Sequence, residues 1–132
     1  MPLLDAVAAR LQNTGVATPG TNLFLGHLPS APDTCLAIFL RGGASPVRTM
    51  GPVTTAPDHD LPTVQVMVRA ATIPTMDALQ SSILRALDHW WGTSDGVVIK
   101  YSELSYFPVD LGFDENARVL RSIVFNMKVG RV

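Results

Sequence analysis

Leu4, Val7, Ala8 and Leu11 recur at the three- and four-residue spacing of a helix, and Asp5 lies in the first turn, where a negative charge suits the helix dipole. With Gly15 as a stop, the pattern predicts a short amphipathic helix over Leu3 to Asn13. The run GVATPGTN from Gly15 to Asn22 reads as a loop. Asn22 to Leu28 and Cys35 to Arg41 read as strands joined by the turn chemistry of PSAPD. The second of these is apolar at nearly every position, which predicts a central strand covered on both faces. Thr63 to Ala70 alternates, with Val64, Val66 and Val68 on one face and Gln65, Met67 and Arg69 on the other.

Met76, Leu79, Ile83, Leu87 and Trp90 form the stripe of a principal helix, with Thr75 as its N-cap, Asp77 in its first turn and Gly92 ending it. Val97 to Glu103 reads as a strand, extendable through Leu104 as far as Pro108. Arg118 to Val129 predicts a long final strand with Val119, Ile123, Phe125, Met127 and Val129 on one face and Arg121 interrupting the pattern. Between the second and third strands, Gly42 to Pro62 is rich in Gly and Pro, so a long loop is expected there. Loops of this length are uncommon in compact domains unless they carry function.

Strands outnumber helices, which argues for an α+β domain: a mostly antiparallel sheet with both helices packed on one face. Apolar residues on both sides of several strands leave the opposite face without a cover in a lone subunit, and neighbouring subunits are the simplest one. Composition sharpens this picture. Only 16% of the 132 residues are charged, against 47% hydrophobic, and soluble domains usually carry about 25% charged. Ten Lys and Arg nearly balance 11 Asp and Glu, so no broad electropositive surface for wrapping nucleic acid is expected. The longest apolar run, Cys35 to Leu40, is far too short for a membrane-spanning helix. Asp5 and Arg10 break the first apolar stretch, so no export signal is expected, and the single Cys35 excludes an intrachain disulfide.

Candidate chemistry is sparse. Asp58, His59 and Asp60 are adjacent and hydrophilic, but no second cluster of His or Cys stands elsewhere to complete a metal shell, so a solvated loop is the preferred reading. His27 and His89 are isolated, and Cys35 sits in the most apolar strand as a core residue. The glycines at 42–43 and at 92 and 96 lack the helix and the Lys-Ser/Thr pair of a phosphate loop. No nucleophile elbow, zinc-protease motif or C-x-x-C is present. Neither a metal nor another cofactor is expected, and no catalytic residue is assigned. Trp90 and Trp91 are neighbours, so at most one lies at the centre of a helical stripe and the other is left for an edge or interface.

The segments PLLDAVAARLQ, GTNLFLGHLPSAPDTCLAIF, PTVQVMVRA and LGFDENARVLRSIVFNMKV, in this order, resemble the minor capsid or tail terminator proteins of long-tailed bacteriophages. The resemblance spans Pro2 to about Val129; its most specific parts are GTNLFLGHLP and the turn at Asp114, Glu115, Asn116 and Arg118. It implies a single domain over 1–132 that assembles as a ring, typically a hexamer, at the head-proximal end of the tail tube. Such a ring stops tube polymerisation and offers a surface for head-tail joining. The partners implied are further copies of the chain, the tail tube protein and a head-completion or stopper protein, without membrane or sequence-specific nucleic-acid binding; DNA passes through the ring. The location implied is the virion, after assembly in the host cytoplasm. Candidate contact residues are Arg41, Arg48, Met50, Asp58, Asp60 and Arg69 in and around the long loop, Trp91, and Asp114, Glu115 and Arg118 before the last strand. A ring contact needs two different complementary patches on each subunit. The alternatives are a head-tail stopper or other neck subunit, a small metal-dependent enzyme using Asp58, His59 and Asp60, and a monomeric ligand-binding domain.

Overall fold

The structure, a computed structural model, describes residues 2–47 and 59–130. In chain order it contains α1 (Pro2–Asn13), β1 (Leu23–Leu25), β2 (Cys35–Val47), β3 (His59–Ala70), α2 (Ile73–Leu87), β4 (Gly92–Ser94), β5 (Val97–Leu104), β6 (Val109–Phe113) and β7 (Val119–Gly130). The strands form one seven-stranded sheet in the order β1-β2-β3-β7-β5-β4, and β6 pairs β7 alongside β5. The sheet curls as a half-barrel.

Both helices lie on one face, because one cluster holds their apolar stripes together with one side of the sheet. Leu4, Val7, Ala8 and Leu11 of α1 and Met76, Ile83, Ala86 and Leu87 of α2 meet Leu36, Ile38, Val64, Val66, Val68, Ile123, Phe125 and Met127. Fully burying a side chain of this size contributes roughly 1.5–3 kcal/mol, so this face supplies most of the hydrophobic stabilisation. The alternation of β3 and β7 is therefore the pattern that fixes the register, since a one-residue slip would turn both valine and phenylalanine rows away from the helices.

The sheet is mostly antiparallel, as expected, with one parallel pair that makes it mixed: β1 lies parallel to β2, Leu23 opposite Leu36. The PSAPD segment thus lies in a crossover connection. Other expectations are corrected. Of the expected loop at 42–62, the described residues 42–47 and 59–62 are strand, since β2 runs on to Val47 and β3 begins at His59; 48–58 lie outside the described residues. Gly and Pro are accommodated because β2 is an edge strand beyond β1 and because the β2–β3 ladder shifts register between Arg41 and Gly43 and again between Ala44 and Val47. Gly43 is required there: it has φ +134°, and a Cβ would lie 2.3 Å from the Leu61 carbonyl oxygen.

Thr72, not Thr75, caps α2, its hydroxyl accepting from the Thr75 N–H at 3.4 Å, with Pro74 in the first helical positions. The helix stops at Leu87 with Asp88 as C-cap, so Trp90 and Trp91 follow it and Gly92 does not end it. Asp88 Oδ1 accepts the Leu104 N–H at 2.9 Å, which ties the helix end to the end of β5. The extension of β5 toward Pro108 is absent, and two strands without a sequence expectation, β4 and β6, are present.

Candidate assembly surface

The face of the sheet away from the helices is more polar than its strands suggested. Arg41 Nε donates to Gln65 Oε1, and Gln65 Nε2 donates to Ser122 Oγ at 2.7 Å, a row that crosses β2, β3 and β7. Thr63, Asn126 and Ser105 form a second row at 3.2 and 3.1 Å. Residues 26–34 reach the same face, because Arg69 Nη2 donates to the Pro32 carbonyl at 2.6 Å and Nε to that of Asp33 at 3.3 Å. Gln65, Arg69 and Ser122 are buried within the single chain. The polar pairing satisfies groups that would otherwise be costly to bury.

The spare apolar surface lies elsewhere, at β6. Every residue of β6 is exposed. Tyr106, Phe107, Val109, Leu111 and Phe113 make up half of the ten large hydrophobic residues exposed among the described residues. Beyond its pairing with β7, β6 has no strand on its other side among the described residues, so its outer edge presents backbone N–H and C=O groups without ladder partners. Phe113, Gly112, Asp110, Val119 and Arg121 with Ile73 of α2 border a depression of about 170 Å³.

Two arginines hold this hairpin in place. Arg121 Nε donates to Asp110 Oδ1 at 2.6 Å, and Nη1 to Asp77 Oδ1 at 3.0 Å and Gln80 Oε1 at 2.6 Å, joining β6 to α2. Desolvation works against the Arg121 charge, but the hydrogen bonds from Asp110 and Asp77 outweigh it and raise its pKa. At the β6–β7 turn, Asp114 Oδ1 accepts the N–H groups of Asn116 and Arg118 at 2.9 and 2.8 Å, and Oδ2 accepts Arg118 Nε at 2.7 Å. Desolvation pushes the Asp114 carboxyl up, and these hydrogen bonds outweigh it, so the net direction is down. Arg118 Nη1 also donates to the Ser30 carbonyl at 2.6 Å and to Asp33 Oδ1 at 3.3 Å.

The candidate contact residues therefore separate into groups. Arg41, Trp91 and Glu115 are exposed, with Trp91 at 73%. Arg69 and Arg118 are buried and spend their donors inside the subunit, and Asp114 is half-buried against Arg118. Asp60 is half-buried in β3. Arg48, Met50 and Asp58 lie outside the described residues, and with Asp58 lies part of the Asp58-His59-Asp60 set. Among the described residues no group of three or more His, Cys, Asp or Glu is close enough to hold a metal ion.

Of the two tryptophans, Trp90 is buried beneath Arg10, whose guanidinium lies 5.4 Å from the ring centre. Cys35 is buried with Arg69 Nη2 at 3.2 Å from its Sγ. Burial pushes the thiol pKa up against the pull of Arg69 and Arg118, a pairing made by the fold that separation in sequence concealed. The β6 surface itself was missed. Its signal was the alternation Val109-Asp110-Leu111-Gly112-Phe113, short and obscured by Pro108 before it and Gly112 within it.

A small mixed sheet, roofed by helices on one side, leaves an apolar open edge, the kind of surface that marks interaction sites in proteins generally. The model of the family described as "Bacteriophage tail terminator protein" matches residues 10–131, and the chain belongs to that family. This is a family of structural tail proteins, and the chain's place is in the virion. No curated protein matches the sequence. Among solved structures, a chain from the "virion of native gene transfer agent (GTA) particle" is 15% identical, with a TM-score of 0.62 and 98% of each chain covered. Another solved chain is 13% identical with a TM-score of 0.65, over 98% of this chain and 94% of that one. Both similarities are of fold.

Proposed function

We propose that this protein is a tail terminator in the working sense. Identical copies, six in the form the resemblance implies, close into a ring at the head-proximal end of the tail tube. The ring stops addition of tube subunits and presents its other side to a head-completion or stopper protein. The observation that carries this reading is membership of the tail terminator family over residues 10–131. The exposed run from Tyr106 to Phe113 supports it, since a lone subunit leaves that surface in water. The reading requires no catalytic step. Its mechanism is occlusion: a ring seated on the last tube layer covers the surface that the next layer needs.

The test is assembly of tail tubes from purified tube subunits with and without this protein. Added in slight molar excess over tube ends, it is expected to give capped tubes with a ring at one end by negative-stain imaging, and native mass spectrometry is expected to show a closed homo-oligomer. Tubes that elongate unchanged, with the protein neither ringed nor bound at an end, would refute it.

A further inference from the structure

The two sides of the sheet differ in character. One side carries β4, the end of β5 and, alongside them, β6, the open stretch richest in exposed apolar residues. The other is β2 from Phe39 onward, because β1 covers only Leu36 to Ile38 and no other strand lies on that side among the described residues. The exposed charge beyond internal pairs differs in sign. Asp110 and Asp114 are already paired with Arg121 and Arg118, which leaves Glu103 and Glu115 exposed on the β6 side and Arg41 exposed on β2. Both edges also carry apolar side chains, Leu40 on β2 and Val109, Leu111 and Phe113 on β6, all exposed.

Strand direction is suited to their union. β2 is antiparallel to β3, β3 to β7 and β7 to β6, so β6 runs opposite to β2 within a subunit. A second copy set beside the first without inversion therefore presents its β2 antiparallel to β6, the stronger of the two ladder types. The levels differ: Asp110 stands opposite Arg121, Val68 and Leu36 in turn, four residues before Leu40 on the same face. That offset is about 13 Å along the strands against about 19 Å across four of them, which a strand tilt of about 35° absorbs, a value ordinary in closed sheets.

We propose that successive copies of this chain join edge to edge, β6 of one subunit pairing antiparallel with the free stretch of β2 of the next, so that the ring is held by a continuous sheet. This rests on the terminator-ring reading and names the contact that closes it. Arg41 comes to the side that carries exposed Glu103 and Glu115. Leu40 packs against Phe113, since both stand on the helix face of the sheet, Leu40 opposite Val64 and Phe113 opposite Val119. The contact is heterologous, as a closed ring requires.

Cross-linking the full-length chain tests it. Leu40→Cys and Leu111→Cys variants, mixed and treated with a short bis-maleimide, are expected to give a covalent dimer, while the double variant gives a ladder ending at the closed ring. Cys35 is 1% exposed and serves as the unreactive background in the parent chain. Each single variant treated alone is expected to remain uncrosslinked; a Leu111→Cys homodimer would instead show a two-fold contact and overturn the proposal. A ring visible by native mass spectrometry with no link in the mixture overturns the edge pairing and leaves the ring standing. Absence of any oligomer, free or on tube ends, overturns both. Independently, Leu111→Lys is expected to keep the parent melting temperature and weaken association at least tenfold; unchanged association would count against the contact.

Discussion

β6 and β7 run side by side and are both rich in large apolar residues, yet they meet opposite fates. Phe125 of β7 is 0% exposed beneath the helices, whereas Phe113 of β6 is 65% exposed. β7 is hydrogen-bonded along both sides, to β3 on one and to β5 and β6 on the other. β6 is bonded along one side. The difference teaches that hydrophobicity has two uses in this chain: in β7 it stabilises the subunit, and in β6 it is held back from folding and stays available for association.

The sharpest way to break the comparison is a pair of truncations. Phe125→Ala is expected to cost about 3–5 kcal/mol in denaturant unfolding, because it leaves a cavity among packed neighbours. Phe113→Ala is expected to change unfolding by no more than about 0.5 kcal/mol while weakening self-association. A large stability loss from Phe113→Ala would erase the distinction. Next in size, Arg69→Met is expected to cost about 1–3 kcal/mol, since the carbonyls of Pro32 and Asp33 lose a charged donor on the face away from the helices.

Smaller effects sharpen the comparison at the joint between the two strands. Arg121→Met frees Asp110 from α2, and because Asp77 and Asp110 are mostly exposed its cost in global stability is expected to be under about 1 kcal/mol. Its main readout is faster amide exchange across Val109–Phe113 with little change in β7. Smallest is a pH effect. The Asp114 carboxyl lies below its ordinary value in the fold, so the unfolded chain binds that proton more readily. Its contribution is in place above the ordinary carboxylate range and is lost as pH falls through the depressed folded value. Asp114→Asn is therefore expected to flatten the acid side of the stability profile; an unchanged acid limb would show that the turn does not depend on that charge.

Legibility in the sequence followed burial. Val64, Val66 and Val68, the stripes of α1 and α2, and the alternation from Val119 to Val129 announce themselves because each answers to a single apolar face; both helices, β5, β7 and the halves of β2 and β3 over Cys35–Arg41 and Thr63–Ala70 are readable in the sequence. The parallel placement of β1 was not, since three residues carry no directional signal. Pro46 and Pro62 argued against strand, but the β2–β3 pair lies partly at an edge and shifts register there, so missing donors cost little. Thr72 was passed over for Thr75, although Pro74 just after it is the better mark of a helix start. The contact surface was the least legible part. Arg69 and Arg118 stand in the sequence as candidate contact residues, and only the approach of residues 26–34 turns them inward. β6 alternates as Val109-Asp110-Leu111-Gly112-Phe113, but over only five residues next to Pro108, too short a run to set it apart from an extension of β5.

The placement of β7 also sets a timetable. β3 and β5 are joined in the sheet only through β7, and a ribosome makes β7 after every strand it bonds. Without Val119–Gly130 the β2–β3 ladder and the β4–β5 ladder have no strand between them, and β6 has no partner to lie against. The open edge at β6 therefore exists only once the last of the described strands is in place.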